Sequence, residues 1–552
     1  MKRTGPNRGR AALPSRLRAL VIAPVIAVMV AVAPARGQSI DLEAATIQQL
    51  AAAMDAGTVT SEQLVRLSLA RIDAYDQRGP RLNAVLTRNP KALEQARALD
   101  AERRATGKRS ALHGVPIVLK DNYDTYDLPT TGGSILLEGS VPRDDAFVVK
   151  QLRDAGAVII AKVNLSEFAS GSAFSSLGGQ TRNPHDPLRT PSGSSGGTGA
   201  AVAAAFATLG LGTDTGGSIR GPSSMNGIAG LKPTLGLVSR DGIIPLALTF
   251  DTGGPMARHV SDIAVALGVL TGVDAADTVT RRGEGKFERD YTKYLEADAL
   301  QGARIGVARD FMGHDPDVDW VMEASLASMR AAGATIVDVR LPKWLLDAKG
   351  EFYAAVRYPE FTVQIAQYLA TLGPSYPRTL AELSERADRI VSPRADGAGP
   401  NTVRWNLFKR ELASGSLTDP RYTAVLAHGL PLVRTLLDGL FTAQALDAIV
   451  YPTASRRPDL ITAPPEPPGG GAASGSNLAN LSGFPELIVP AGFTTDRLPV
   501  GLSFLGRAFS EGPLLRLGFA FEQRTKARRL PVHTPALPGE KALLKSPPAK
   551  NR

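Results

Sequence analysis

The sequence predicts an α/β fold in which helices cover both faces of a single large sheet. Short runs of β-branched and other apolar residues alternate with helical patterns, and glycine, proline or charged residues flank each run, as expected for buried strands. No internal repeat or break in composition marks a second domain, and 552 residues provide an ample core. The predicted strands are residues 116–119, 157–161, 304–308, 334–339, 448–451 and 487–489.

Local patterns predict two helices and two surface excursions. Thr60 and Gln63 have the spacing of a capping box, and the apolar residues after them recur at helical intervals, so a helix should begin there. The alanine-rich residues 200–207 predict a second helix. The charged residues 274–289 and the proline- and glycine-rich residues 461–476 are interpreted as excursions. The latter is either a mobile loop near a site or a passive connector.

The N-terminus has the pattern of a secretory signal peptide. Residues 2–18 carry six basic side chains and no acidic one, and an apolar stretch follows at 19–35. Cleavage after Ala35 and cleavage after Gly37 fit the small-residue rule equally well. An uncleaved membrane anchor is the alternative, which the short stretch and its prolines disfavour. We therefore expect a signal peptide over 1–37 and a periplasmic or secreted mature protein without membrane association.

Composition limits the classes of partner. The formal net charge is +10, but seven basic residues lie within 1–37, which leaves +3 on the rest of the chain. A charge of that size gives no electrostatic argument for nucleic acid as a partner. Because the chain has no cysteine, an exported form has no disulfide bonds and depends on its core for stability. Residues 541–552 are basic, and we expect a disordered tail there.

Two glycine-rich loops carry the candidate chemistry. The first contains Ser194 and leads into the predicted alanine-rich helix, and the second follows a short predicted strand and presents Ser218. Glycines lower the steric cost of the dihedral angles that aim consecutive N–H groups at one point. We therefore expect the amides of Thr215, Gly216, Gly217 and Ser218 to form an oxyanion hole.

A serine hydroxyl needs a base before it becomes an effective nucleophile. Lys120 is the best candidate, because the apolar run before it would desolvate the amine and favour its neutral form. Asp121 would favour the charged form at close range, but alternation along a strand should turn it to the opposite face. Asp214 and Arg220 are expected to brace the second loop rather than to react.

These loops resemble those of the amidase signature family, serine hydrolases that cleave amides with a Lys, Ser, Ser triad. Lys120 lies in Gly-Val-Pro-Ile-Val-Leu-Lys-Asp-Asn, Ser194 in Gly-Ser-Ser-Gly-Gly and Ser218 in Asp-Thr-Gly-Gly-Ser-Ile-Arg. The resemblance covers residues 40–530 approximately and implies an amidase domain at 38–540. It implies the family's fold, a single large mixed, twisted sheet, and a cis peptide bond between Gly193 and Ser194.

The mechanism that this resemblance implies gives one role to each triad residue. Neutral Lys120 accepts a proton from Ser194, which takes the proton of Ser218 as Ser218 attacks the amide carbonyl. Water then hydrolyses the acyl-enzyme, and no cofactor or metal is expected. Ser192 and Thr198 depart from the commonest family pattern, and neither is a triad position.

Three other functions fit parts of the sequence less well. Residues 193–197 also fit the Gly-x-Ser-x-Gly pattern of α/β-hydrolases with Ser195 as nucleophile, but no apolar strand precedes them and none of the six histidines has a recognisable setting. The intact triad disfavours a noncatalytic exported protein that binds amides or peptides. The glutamine-hydrolysing subunit of a transfer RNA amidotransferase shares the motifs, but it works in the cytosol with partner chains, so the signal peptide argues against it.

The expected substrate is a small-molecule or peptide amide. Primary carboxamides are favoured over esters and secondary amides, because the motif-rich stretches most resemble bacterial amidases that include peptide amidases. The acyl pocket is expected within residues 310–480, where Trp320, Trp344 and Trp405 indicate an aromatic or otherwise apolar acyl group. We expect a monomer or homodimer, and no metal site, since cysteine ligands and a His-x-x-x-His spacing are missing from the sequence.

Overall fold

The structure is a computed structural model that describes residues 39–41, 43–462 and 474–543. The predicted signal peptide at 1–37 lies outside the described residues, as do residues 463–473 of the second predicted excursion. The strands are β1 (Ser39–Asp41), β2 (Val85–Arg88), β3 (Pro116–Lys120), β4 (Val158–Val163), β5 (Phe174–Ser175), β6 (Gly179–Gln180), β7 (Leu209–Asp214), β8 (Ala229–Lys232), β9 (Thr252–Ala257), β10 (Arg304–Ala308), β11 (Thr335–Val339), β12 (Ala448–Pro452), β13 (Glu486–Phe493), β14 (Pro499–Leu505) and β15 (Lys541–Leu543). The α-helices are α1 (Ile47–Asp55), α2 (Ser61–Tyr75), α3 (Ala92–Thr106), α4 (Phe147–Asp154), α5 (Gly196–Ala203), α6 (Arg220–Met225), α7 (Val260–Leu270), α8 (Pro316–Ala331), α9 (Lys343–Leu369), α10 (Leu380–Asp388), α11 (Thr402–Leu412), α12 (Pro420–Ala424), α13 (Leu430–Ala443), α14 (Leu478–Ser482) and α15 (Glu511–Thr525).

Eleven of the described strands form one mixed sheet, in the order β11, β10, β12, β14, β13, β8, β9, β7, β3, β4, β2. β3 pairs in parallel with both β4 and β7, whereas β7 and β9 are antiparallel. Alternate residues of β3 enter different cores: Ile117 and Leu119 belong to one buried cluster, and Val118 belongs to another with the alanines of α5. The prediction of a single large sheet with helices on both faces is confirmed.

The six strands predicted from the sequence are all present, and their ends differ most at β13. That strand extends to Phe493 because it pairs with β14 as far as Pro499. The predicted start of α2 is also confirmed. Thr60 is its N-cap, and the side chains of Thr60 and Gln63 each accept a hydrogen bond from the main-chain amide of the other.

The helix predicted over 200–207 is shifted toward the N-terminus, since α5 spans Gly196–Ala203. Ala205 has a φ of 56°, a left-handed conformation through which an α-helix does not continue. Gly197, in the first turn of this helix, packs directly against a neighbouring main chain. A Cβ at Gly197 would lie 2.1 Å from the carbonyl oxygen of Asn164, so this turn admits only glycine.

The charged residues 274–289 lie mostly at the surface, as the sequence predicted, but two of their acidic side chains do not. Asp274 and Asp277 within them are buried. Asp274 accepts a hydrogen bond of 2.5 Å from Ser239 Oγ, and Asp277 forms an ion pair of 2.6 Å with Arg240. These partners come 35 and 37 residues earlier in the chain, so local composition gave no sign of the burial.

One helical stretch of the described residues, Pro420–Ala443, is long and apolar enough to cross a membrane by length and composition. It comprises α12, a π-helical turn at Val425–Gly429, and α13. Val433, Leu437 and Phe441 on one side of α13 are buried in a core cluster. Packing against the rest of the protein therefore accounts for the apolar side of this helix.

The two ends of the described chain are joined. β1 pairs antiparallel with β15, so residues 541–543, where the sequence predicted the start of a disordered tail, form a strand in this structure. Residues 544–552 lie outside the described residues. Arg71 of α2 forms buried ion pairs with Glu43, near β1, and with Glu540, next to β15, at 3.2 and 2.7 Å. Arg71 thus connects both ends to the body of the fold.

Replacing Arg71 by methionine should lower the free energy of unfolding by about 3 to 5 kcal/mol, because two buried carboxylates would lose their partner. Chemical denaturation of the purified protein measures this change. Arg66→Met is the matched control on the same helix: Arg66 is 55% exposed in its pair with Glu62. Loss of this surface ion pair should lower the free energy of unfolding by at most about 0.5 kcal/mol. Equal losses from the two variants would contradict this account.

Candidate active site

The candidate site lies where two parallel strands of the sheet end. β3 ends at Lys120 and β7 ends at Asp214, and because these strands are parallel neighbours, both carboxyl ends lie at the same edge of the sheet. The loop with Ser194 leads into α5, and the loop with Ser218 leads from β7 into α6. Ligands of open α/β sheets bind outside the carboxyl ends of the strands. The topology therefore brings the three predicted triad residues to one edge.

Lys120 is fully buried, and its Nζ lies 2.7 Å from Ser194 Oγ. Burial lowers the pKa of Lys120 to about 7, although the carboxylates of Asp214 and Asp251 act in the opposite direction. Ser194 is only 2% exposed, so the contact is shielded from bulk water. Near neutral pH a large fraction of the lysine is therefore uncharged and able to accept a proton.

Asp121, the next residue along the chain, does not oppose this. Its Oδ1 lies 3.2 Å from the Nζ of a second buried lysine, Lys162, and its Oδ2 accepts the main-chain amide of Thr131. The expectation that Asp121 faces away from Lys120 is confirmed. Its negative charge is used in an ion pair with Lys162.

The first glycine-rich loop is held by main-chain hydrogen bonds on both sides of Ser194. The Gly193–Ser194 peptide bond is cis, as the resemblance implied. The carbonyl of Ser194 accepts the amide of Ser166 at 3.0 Å, and the Ser195 hydroxyl lies 3.2 Å from the carbonyl oxygen of Thr213. The loop is thereby fixed against β7, with the Ser194 hydroxyl on Lys120.

Ser218 lies in the loop next to this pair, and its hydroxyl makes no hydrogen bond to any residue that the structure describes. Its carbonyl accepts the amide of Ser195 at 3.1 Å, which holds the two loops side by side. Within the described residues, no hydrogen bond joins Ser218 Oγ to Ser194 Oγ. Ser218 is partly exposed, as a nucleophile that meets a substrate must be. The structure therefore brings Lys120 and Ser194 into contact and places Ser218 next to them.

A buried carboxylate organises the second glycine-rich loop. Asp214 accepts the amides of Gly217 and Ile219, each at 2.9 Å, and forms an ion pair with Arg220. Burial alone raises the pKa of Asp214, but the charge of Arg220 and these donors lower it overall. Arg220 also pairs with Glu486 of β13 at 2.6 Å. The bracing role predicted for Asp214 and Arg220 is confirmed.

This bracing changes the predicted set of oxyanion donors. The amide of Gly217, which the sequence predicted as an oxyanion donor, is donated to Asp214 in this structure. The amides of Thr215, Gly216 and Ser218 make no hydrogen bond within the part of the chain that is described. Gly216 is closely covered, since a Cβ there would come within 3.1 Å of the Tyr353 hydroxyl. Three amides therefore remain available.

Asp251 is a site residue that local sequence patterns did not indicate. Thr215 Oγ1 donates to Asp251, which also accepts the amides of Leu246 and Ala247 at 2.8 and 2.9 Å. Burial raises the pKa of Asp251. It comes 36 residues after Thr215, and only the antiparallel pairing of β7 with β9 brings the two together. The residues on either side of Asp251 in the sequence do not predict that β7 and β9 pair.

The motifs around these loops belong to a family that extends over most of the chain. The family model described as Amidase matches residues 63–515. The chain belongs to the amidase family. A glutamyl-tRNA(Gln) amidotransferase subunit of Myxococcus xanthus is 38% identical to this amidase over 488 residues, which cover 87% of this chain and 96% of the relative. The same subunit of Cupriavidus metallidurans is 37% identical over 500 residues, covering 87% and 97%.

Solved structures agree with this assignment. Native peptide amidase from Stenotrophomonas maltophilia has a TM-score of 0.80 and 39% identity with this amidase, covering 88% of this chain and 98% of that one. The corresponding glutamyl-tRNA(Gln) amidotransferase subunit from Thermotoga maritima has a TM-score of 0.69 and 28% identity, covering 89% and 98%. This amidase is an amide-hydrolysing enzyme, as its motifs predicted.

A small cavity, with room for about one water molecule, lies at the edge of the sheet where β3 and β7 end. It is lined in part by Asn122, Thr213, Thr215 and Asp251, which lie at the ends of β3 and β7 or beside them. Hydroxyl, amide and carboxyl groups therefore converge next to Lys120. The opposite wall is apolar and includes Ile243, Ile244, Leu246 and Leu248, so the cavity has one polar and one apolar side.

The three tryptophans do not line this cavity, contrary to what the sequence indicated. Trp320 is 66% exposed and Trp344 is 39% exposed, while Trp405 is buried in a core cluster. The aromatic residue of 310–480 that reaches the nucleophile loop is Tyr353 of α9, whose ring stacks on Phe250 at 5.5 Å. Residue type alone could not separate core tryptophans from site aromatics.

Proposed function

We propose that this amidase is exported and hydrolyses a carboxamide through an acyl-enzyme on Ser218. Ser194 relays the proton, and neutral Lys120 accepts it. The observation that supports this most strongly is the contact of 2.7 Å between Lys120 Nζ and Ser194 Oγ, together with the burial that lowers the pKa of Lys120 to about 7. A lysine with an ordinary pKa of about 10.4 would be protonated at pH 7 and could not accept a proton.

The reaction has two halves. In acylation, Ser218 Oγ bonds to the carbonyl carbon while its proton passes to Ser194 and the proton of Ser194 passes to Lys120. The proton then returns through Ser194 to the leaving nitrogen, the C–N bond breaks, and ammonia or an amine departs. In deacylation, water attacks the ester and gives up its proton along the same path. Breakdown of the second tetrahedral intermediate releases the acid and restores Ser218.

Each tetrahedral intermediate places negative charge on the former carbonyl oxygen. We assign the amides of Thr215, Gly216 and Ser218 as its donors, since they are the free amides of the nucleophile loop. One such donor contributes about 3 kcal/mol to lowering the barrier. The hydrogen bonds to Asp214 and Asp251 hold the loop in place before the substrate arrives.

Lys120→Met should lower kcat/KM by about 1,000-fold or more, because Lys120 is the one base that contacts Ser194 Oγ among the described residues. Ser218→Ala should be as inactive. In the wild type, kcat/KM should rise with pH through about 7, where Lys120 loses its proton, and level off above that. Initial rates of ammonia release measure both effects.

Ser192→Gly is the matched control for these variants. Ser192 lies two residues before Ser194 and has a φ of 64°, which glycine adopts without strain, so activity should be retained. Undiminished turnover by Lys120→Met at neutral pH would overturn the mechanism.

The proposed substrate class is the primary carboxamide, with C-terminally amidated peptides as its first member. The resemblance to peptide amidase over 98% of that chain supports this choice. Free glutamine is the second candidate, since a glutamyl-tRNA(Gln) amidotransferase subunit is 38% identical to this chain. The purified enzyme should release ammonia faster from amidated peptides than from glutamine, with no added chain.

A panel of amidated peptides, glutamine, and matched esters and anilides, compared by kcat/KM, separates these possibilities. Glutamine hydrolysis that requires added amidotransferase subunits would favour the second candidate. Faster cleavage of the esters or anilides would contradict the preference for primary amides.

Export is supported by the basic and apolar pattern of residues 1–37. After expression of the full chain in a Gram-negative host, the periplasmic fraction should contain protein that begins at Arg36 or Gln38. N-terminal sequencing identifies that residue. Val25→Asp combined with Val28→Asp interrupts the apolar stretch and should leave the protein in the cytosol. Wild-type protein found only in the cytosol with its N-terminal residues intact would contradict export.

A further inference from the structure

Lys120 has a second close partner that the mechanism above does not use. Its Nζ lies 2.7 Å from Thr213 Oγ1 and 3.5 Å from the carbonyl oxygen of Thr213. The same Thr213 hydroxyl lies 3.0 Å from Asn122 Nδ2. Asn122 is 1% exposed, and its Oδ1 has no hydrogen-bond partner within the described residues. These three side chains form a buried line that ends at the cavity next to the triad.

The hydrogen atoms of this line restrict what Lys120 can do. A neutral amine has two N–H groups and one lone pair, and a threonine hydroxyl has one proton and two lone pairs. Lys120 can take a proton from Ser194 only when its lone pair faces Ser194 Oγ. Its N–H groups must then point to Thr213, and the Thr213 hydroxyl must accept rather than donate.

The Asn122 amide decides which way the Thr213 hydroxyl points. With Nδ2 facing Thr213, the hydroxyl accepts from Asn122, and its own proton can be shared with the lone pair of Lys120. A half-turn of the amide exchanges Oδ1 and Nδ2 without changing the shape of the side chain. Thr213 then donates to Oδ1 and accepts from Lys120, while Nδ2 faces the cavity, where water can accept its hydrogen bonds.

We propose that Thr213 and Asn122 are positioning residues that aim the lone pair of Lys120 at Ser194. The proposal rests on the function of Lys120 as the base. Asn122 orients the Thr213 hydroxyl, and Thr213 orients the amine. The relay requires Asn122 Oδ1 to face Thr213. When Nδ2 faces Thr213 instead, the Thr213 proton occupies the lone pair of Lys120 and the relay through Ser194 stops.

The charged groups around Lys120 cannot replace this pair. Asp214 and Asp251 are the carboxylates that act on Lys120. Asp214 is engaged by Arg220, and Asp251 by Thr215 and two main-chain amides. Within the described residues, the side chains that contact Lys120 Nζ are those of Ser194 and Thr213. Its orientation thus depends on hydroxyl groups.

Thr213→Val removes the hydroxyl and keeps the shape of the side chain. We expect kcat to fall about 10- to 100-fold, as for a misdirected catalytic group, with KM changed less than about twofold. The acid limb of the pH profile should move to lower pH, because the charged amine loses a hydrogen-bond acceptor. Thr213→Ser keeps the hydroxyl, so it should have most of the wild-type kcat and an acid limb at the same pH as the wild type.

Thr198→Val is the matched control for the loss of a buried threonine hydroxyl. Thr198 Oγ1 donates to the carbonyl of Leu211 on β7 at 3.2 Å and does not contact Lys120. Its removal should lower the melting temperature and leave kcat and the acid limb in place. A purely structural role of Thr213 would give the same result at Thr213.

Asn122→Leu tests the second link without touching Lys120. It should slow the enzyme, and the double variant with Thr213→Val should be no slower than Thr213→Val alone, since Asn122 acts through Thr213. Multiplied losses in the double variant would overturn this order of action. Asn122→Leu also provides the test if Thr213→Val does not fold.

A fluorophosphonate measures the same relay without a known substrate. Ser218 Oγ bonds to phosphorus and fluoride leaves, while the Ser218 proton passes to Ser194 and the proton of Ser194 to Lys120. The rate of labelling, measured as a function of pH, should rank the variants in the same order as their kcat values. This inference would be overturned, and the proposed function would stand, if Thr213→Val and Asn122→Leu both kept the labelling rate and the acid limb of the wild type while Lys120→Met was inactive. Activity of Lys120→Met would overturn the proposed function itself.

Discussion

The burial of an amine at the end of β3 is the constraint on which the rest of the site depends. Lys120 can remain uncharged near neutral pH only if no carboxylate forms a close ion pair with it. Three acids are nearby in sequence or in space, and each has another partner: Asp121 pairs with Lys162, Asp214 with Arg220, and Asp251 with the Thr215 hydroxyl. Holding a lysine neutral costs about 4 to 5 kcal/mol, which the stability of the surrounding sheet must offset.

The two buried lysines, Lys120 and Lys162, differ in the groups that surround their amines. Burial lowers the pKa of both Lys120 and Lys162. The Lys162 Nζ contacts two main-chain carbonyls and the Thr130 hydroxyl within 2.9 Å, and Asp121 lies 3.2 Å away, an environment that suits a charged ammonium. Within the described residues, the contacts of 2.7 Å that Lys120 Nζ makes are to the hydroxyls of Ser194 and Thr213. The first environment holds a cation in place, and the second allows a proton to move.

The sequence was sufficient for the elements whose causes are local. β-branched runs located six strands, and a capping box located the start of α2. The motifs singled out Lys120, Ser194 and Ser218 as candidates, and the structure brings these residues to one edge of the sheet. The sequence failed where the partner is distant in the chain. The burial of Asp274 and Asp277 depends on Ser239 and Arg240, and the role of Asp251 depends on the pairing of β7 with β9. The engagement of the Gly217 amide by Asp214 is close in sequence, but it depends on how the loop turns in three dimensions.

The protonation state of Lys120 is the central claim, and NMR of ¹⁵Nζ-labelled lysine in the inactive Ser218→Ala variant measures it directly. The resonance is assigned by its loss in the double variant with Lys120→Met. The account predicts that this resonance titrates with a midpoint near pH 7. A Lys120 resonance that remains that of a charged ammonium up to about pH 10 would contradict it.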